Sequence, residues 1–124
     1  MANEKDIHAP RNPDFDKPLI EMRDLLRRIE ATYFADTVDE VLGQLRTGPQ
    51  KAVARLLGVD FWGGAGSFFD LFFCRENGHV SDDFGRDNRA YCGMLLRLLE
   101  NLEAEGYRAY KHEGRSEFLR RQSQ

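Results

Sequence analysis

The sequence predicts a mainly α fold: a single-domain helical bundle with one short β-hairpin after a glycine-rich loop. Three observations lead there. Apolar residues recur at three and four positions over three stretches of the first half and one long stretch of the second. Glycine and proline punctuate those stretches at Gly48-Pro49, Gly58 and Gly106. An aromatic run, Phe68 to Cys74, precedes an Asn77-Gly78 turn signal.

At 124 residues the chain is sized for one domain, and folding buries about two thirds of the surface of the unfolded chain, enough for a core without disulfide or metal staples. Residues 1–18 hold three of the four prolines, Pro10, Pro13 and Pro18, among mixed charges. That composition predicts a flexible N-terminal arm outside the core, with residues 19–124 as the globular domain. The first helix carries Leu19, Met22, Leu25, Leu26, Ile29 and Tyr33 on one stripe, with Asp16 as cap and Pro18 in its first turn. A second starts from Thr37 or Asp36 and presents Val38, Val41, Leu42 and Leu45 before Gly48-Pro49 ends it. A third runs from Pro49 to Leu57, with Val53, Leu56 and Leu57 on one face.

The next segment, residues 61–80, changes character, because Gly63, Gly64 and Gly66 break any helix. Phe68 to Cys74 then has two readings. As a strand it is almost wholly apolar and turns at Asn77-Gly78 into a short partner around His79 and Val80. As a helix it has Ser67 for a cap and Asp70 three positions later, an S-x-x-D box. The short run and the Asn-Gly signal favour the hairpin, which needs the helices to lie against.

The last strong stripe, Tyr91, Met94, Leu95, Leu98, Leu99 and Leu102, makes a helix from Asp83 or Asp87 to Glu105, with acids at its start where the helix dipole favours them. A weaker C-terminal helix follows Gly106. The expected core is Leu25, Leu26, Ile29, Val41, Leu42, Leu45, Leu56, Leu71, Phe73, Leu95, Leu98, Leu99 and Leu102.

Charge and composition exclude several function classes. Lys plus Arg number 18 against 21 Asp plus Glu, a net of -3, which lacks the basic excess of a nucleic-acid binder. No apolar window reaches the length of a membrane span and no apolar signal region follows the start, so no membrane partner is expected and the cytoplasm is the expected location. Cys74 and Cys92 read as free thiols packed as small hydrophobes.

Around Ser67 the G-x-S-x-G elbow is incomplete, so this serine reads as a cap or turn residue. A cysteine nucleophile needs an activating histidine, and His79 reaches Cys74 only across the hairpin. His8, His79 and His112 have no partner at ligand spacing. Asp82, Asp83 and Asp87 miss the alternation of a calcium loop and read as a solvated acidic helix start. Gly64-Ala65-Gly66 lacks the third glycine of a dinucleotide fingerprint and follows helices, not a strand. No catalytic residue, metal or cofactor is therefore assigned.

What remains is the Phe61 to Ser67 run, with the single tryptophan beside three glycines. One reading makes Trp62 an exposed aromatic anchor on a loop whose glycines admit another backbone. The plainer one closes the core with Phe61 and Trp62 while the glycines turn the chain. Across residues 60–87 six carboxylates stand against two arginines, so negative charge concentrates here. The candidate binding surface is Phe61, Trp62, Gly63, Gly64, Gly66, Ser67, Asp70, Asp82 and Asp83.

The run GGAGSFFDLFFCRENG, with Asp87-Asn88-Arg89 opening the following helix, resembles a family of small bacterial proteins of unknown function that carry a Gly-Gly-x-Gly-Ser-Phe-x-Asp-Leu motif. Gly63, Gly64, Gly66, Ser67, Phe68, Asp70 and Leu71 match it over roughly residues 61 to 105, while Phe69 stands where a polar residue such as asparagine is expected. The resemblance implies a compact bacterial domain of the kind that accompanies secreted toxins, and it brings no catalytic residue. The expected function is a non-enzymatic protein-binding domain of the immunity type, masking a basic toxin domain by electrostatic steering and desolvated anchors. Alternatives are a small-molecule-binding domain or small enzyme built on Gly63 to Ser67 with Asp70, Arg75 or Arg89, and a structural homodimer through the Tyr91 to Leu102 helix.

Overall fold

A computed structural model describes residues 6–124. The chain folds as α1 (Lys17–Arg28), α2 (Thr32–Thr47), α3 (Pro49–Leu57), a single turn α4 (Val59–Trp62), a long α5 (Phe84–Ala104) and α6 (His112–Gln122), with a 3-10 turn at Arg75–Asn77. The mainly helical expectation is borne out. α1 lies against α2 and α5, α2 leads onto α3, and α5 carries α6. None of the described helices is long and apolar enough to cross a membrane.

α5 supplies the centre, with Tyr91, Leu95, Leu98, Leu99 and Leu102 all buried at the spacing the sequence shows. That apolar face is spent inside the chain's own core. Asp83 caps α5, its carboxylate accepting the Arg86 N–H at 3.0 Å. Gly106 ends it at a φ of 91°, where Tyr107 N–H to Leu102 O and Gly106 N–H to Glu103 O form a Schellman motif. Of the expected core, Leu42, Leu45 and Leu71 pack half-buried at its edge, and the rest are buried.

α1 ends by the same device with a non-glycine residue, Glu30, at a φ of 65°. Its N–H reaches Arg27 O, and Ala31 N–H reaches Leu26 O. That stop corrects the expectation of a first helix reaching Tyr33: the left-handed residue breaks the helical phase, and Tyr33 falls on the outer face of α2, 73% exposed. α2 accordingly starts at Thr32, not at a Thr37 or Asp36 cap. Thr37 sits within it, its hydroxyl donating to Tyr33 O, and Asp36 pairs with Arg27.

No β-strand occurs among the described residues, so the expected hairpin is corrected, and the helical alternative for Phe68 to Cys74 does not form either. The turn itself exists. The N–H groups of Asn77 and His79 both donate to Cys74 O, and Gly78 adopts a φ of 83°. Cys74 N–H goes to His79 Nδ1 at 3.1 Å, so a side chain stands where a strand carbonyl would be. Past this pair the second limb departs, because Val80 N–H donates to Ile29 O at the end of α1. On the other side of the first limb the Asn88 amide replaces a neighbouring strand: Oδ1 accepts Phe73 N–H at 2.9 Å and Nδ2 donates to Phe73 O at 3.0 Å. With its main-chain groups satisfied this way, Phe73 needs no sheet.

The N-terminal segment brings a second correction. Residues 1–5 of the expected arm lie outside the described residues, but Ile7 and Phe15 are buried in the core. Between Ile7 and Asn12 no α-helix satisfies the backbone among the described residues, and the C-terminal end of α5 supplies partners instead. Glu105 accepts the Arg11 and Asn12 N–H groups at 3.0 Å and meets His8 Nε2 at 3.2 Å. The Tyr107 hydroxyl accepts His8 N–H and donates to His8 O.

Candidate functional site

The glycine-rich segment is built from close approach. After Gly58, α4 makes one turn and stops at Gly63, where an added Cβ would stand 2.6 Å from Val59 O. Gly66 follows at a φ of 87°. Ser67 is buried, its hydroxyl donating to Gly63 O at 2.9 Å and accepting Asp70 N–H at 3.1 Å. The S-x-x-D signal in the sequence is therefore real, yet it caps a turn and not a helix. The loop then folds back on α4, with Phe68 N–H to Asp60 O and Phe69 N–H to Phe61 O, and the Phe61 and Phe68 rings stack at 4.2 Å.

Phe61 and Trp62 are fully buried. The Trp62 indole N–H donates to Leu56 O at 2.7 Å, so its one polar atom is satisfied inside. From α6, Arg115 donates to Trp62 O and Gly63 O and lies 4.0 Å over the Phe69 ring. This clamp covers the carbonyls that a one-turn helix leaves open. Of the two readings of Trp62 the plainer one holds: it closes the core and is not an exposed anchor. Gly64 and Gly66 are exposed, and a hollow of about 300 Å³ lies along Gly63 to Ser67, beside Asp60 and Tyr110.

The acidic candidates separate. Asp70 is exposed and stands on the turn after Ser67. Asp82 pairs with Arg86 at 2.5 Å, which lowers its carboxyl pKa, and Asp83 is the α5 cap. Asp87, expected to be solvated, is 1% exposed. Burial works against its charge, but hydrogen bonds from Arg28, Ser81 and Arg86 outweigh that and hold its pKa at about 2. It ties α5 to α1 and has no access to a ligand.

A different concavity lies one segment further along the chain. A groove of about 630 Å³ opens between residues 69–76, α5 and α6. Phe69, Leu71, Phe72, Phe84, Cys92 and Phe118 line it, with Phe72 and Phe118 62% and 42% exposed. At its rim stand Asp70, Arg75, Glu76 and Arg89. Among the described residues none of these four side chains makes an ion pair. Asn88 fixes one wall by holding Phe73 inward, and alternation then turns Phe72 outward.

Cys74 and Cys92 are both free and half-buried on this groove, and burial pushes the Cys92 thiol pKa up. The His79 Nδ1 accepts the Cys74 main-chain N–H at 3.1 Å, so that nitrogen is engaged by the backbone and not by the thiol. Asp70, Arg75 and Arg89, the polar groups considered for a small-molecule site, do meet at one place, but at this groove and not around Gly63 to Ser67. Phe72 and Phe118 were missed in the sequence. The signal for Phe72 is strand alternation within Phe68 to Cys74; Phe118 shows only as a lone aromatic on a basic helix. Comparison of the chain with protein-family models, curated proteins and solved structures finds no match.

Proposed function

We propose that this chain is a non-enzymatic protein-binding domain of the immunity type, and that its binding face is the groove edged by Phe72 and Phe118. The observation that carries the reading is an apolar groove left open on a small domain, with two phenylalanines exposed at its lip. Exposed apolar patches rimmed by polar groups mark interaction sites, and aromatic anchors supply most of the binding energy of such surfaces. The acidic balance of the chain, a net of -3, favours a basic partner such as a toxin domain met in the cytoplasm. The resemblance of the Gly63 to Leu71 run to proteins that accompany toxins adds to this reading.

Affinity capture from the source cells tests it. A partner held by the parent chain should be lost with Phe72→Asp and Phe118→Asp and kept with Asp82→Ala, which removes only a helix-start ion pair. Equal capture by all four chains would put the binding face elsewhere. A second reading has one observation in its favour: the groove volume lies within the range of small-molecule sites. A metabolite that raises the melting temperature of the parent and not of Phe72→Asp would select it.

A further inference from the structure

We infer that the groove edge at Phe72 pairs two copies of this chain across a two-fold axis, strand edge to strand edge. The inference rests on the reading of the groove as a protein-binding face and names the occupant of that face in the purified protein.

The main chain around Phe72 is an unfinished β-ladder. Both polar groups of Phe73 face Asn88, and both polar groups of Cys74 face the His79 side, so the limb is extended there and its residues alternate in direction. Phe72 N–H and C=O consequently point to the same side as those of Cys74. A completed hairpin would pair them with Ser81. Val80 is instead drawn to Ile29 O, and among the described residues nothing bonds either main-chain group of Phe72. The result is one free donor and one free acceptor on a single residue whose side chain is also exposed.

Such an edge is self-complementary. In an antiparallel pair, two residues directly opposite exchange both N–H···O bonds, so Phe72 of one copy facing Phe72 of the other satisfies all four groups at once. The side chains around it fit the same symmetry. An isologous contact sets each patch against itself, so it needs both signs of charge on one surface. The rim offers two unpaired carboxylates, Asp70 and Glu76, and two unpaired guanidiniums, Arg75 and Arg89, with no net charge. A two-fold sets acids of one copy near arginines of the other, while each Phe72 covers the apolar groove of its mate.

The test is the mass of the purified chain by light scattering across a concentration series, with one cross-linking variant. The parent should approach twice the mass of one chain as concentration rises, and Phe72→Asp, which sets two carboxylates face to face on the axis, should stay monomeric at every concentration. Phe72→Cys, made with Cys74→Ala and Cys92→Ala, should give a disulfide-linked dimer under mild oxidation, since opposed residues of such a pair lie about 5.5 Å apart, within disulfide reach. Tyr33→Cys in the same background, exposed on α2, should not. A monomeric parent, or a dimer that survives Phe72→Asp, overturns the inference. Circular dichroism keeps the variants comparable, because an exposed Phe72 is removed without opening the core.

The two readings fail separately. Partner capture lost with Phe72→Asp from a monomeric parent removes the dimer and leaves the binding face. A Phe72-dependent dimer with no partner captured from cells removes the immunity reading and leaves the dimer.

Discussion

Three residues carry conformations or contacts that their identity alone does not announce. Glu30 stops α1 in the left-handed region, where glycine is the usual choice. Gly63 is required by the Val59 carbonyl beneath it, which no Cβ clears. Trp62 was legible as the chain's most unusual side chain, but not its direction, because an aromatic beside glycines suits an exposed anchor and a core plug equally. Its burial and its bond to Leu56 O decide between them. Native fluorescence should show an emission maximum on the blue side and weak quenching by acrylamide. A red-shifted, readily quenched band would place Trp62 outside and return the glycine loop to the list of binding surfaces.

Helices were legible as elements wherever apolar spacing repeated, and Pro49 to Leu57 and the α5 stripe appear as expected. The hairpin was not, because its failure depends on partners from distant elements: Asn88 from α5 and Ile29 from α1. Asp87 shows the same non-local logic. It appears in the sequence as one more acid at a helix start, and Arg28 of α1, together with Ser81 and Arg86, makes its burial tolerable. Its folded pKa of about 2 lies below the ordinary 3.8, so the stability it contributes is present above the ordinary value and is lost as pH falls through it toward about 2. That contribution is about 2 kcal/mol. Asp87→Asn should lower stability near neutral pH by on the order of 2 to 3 kcal/mol and flatten the decline between about pH 4 and pH 2, read from urea melts at each pH. A variant that declines in parallel with the parent would show that other carboxylates govern acid unfolding.

At the level of the whole molecule the core extends past the helices to the N-terminal segment. Ile7 and Phe15 are buried against it, and Glu105 and Tyr107 hold the intervening chain. Removing residues 1–16 should therefore cost stability, since each buried apolar side chain of this size contributes about 1.5 to 3 kcal/mol. Thermal melts of the shortened chain should show a clear drop, and an unchanged melting temperature would mean that the segment is not held. By itself the sequence determined the helical class, the long central helix, its acidic start, its Gly106 stop and most of the core. Those follow from spacing and from residues that act within one turn of where they stand. Only the tertiary structure decided that Ile7 and Phe15 of the arm join the core, that Trp62 is inside, that the hairpin stops after one pair, and that an apolar groove opens beside Phe72. Each of these depends on which distant group supplies the partner for a main-chain N–H, a carbonyl or a carboxylate, and local pattern carries no record of that choice.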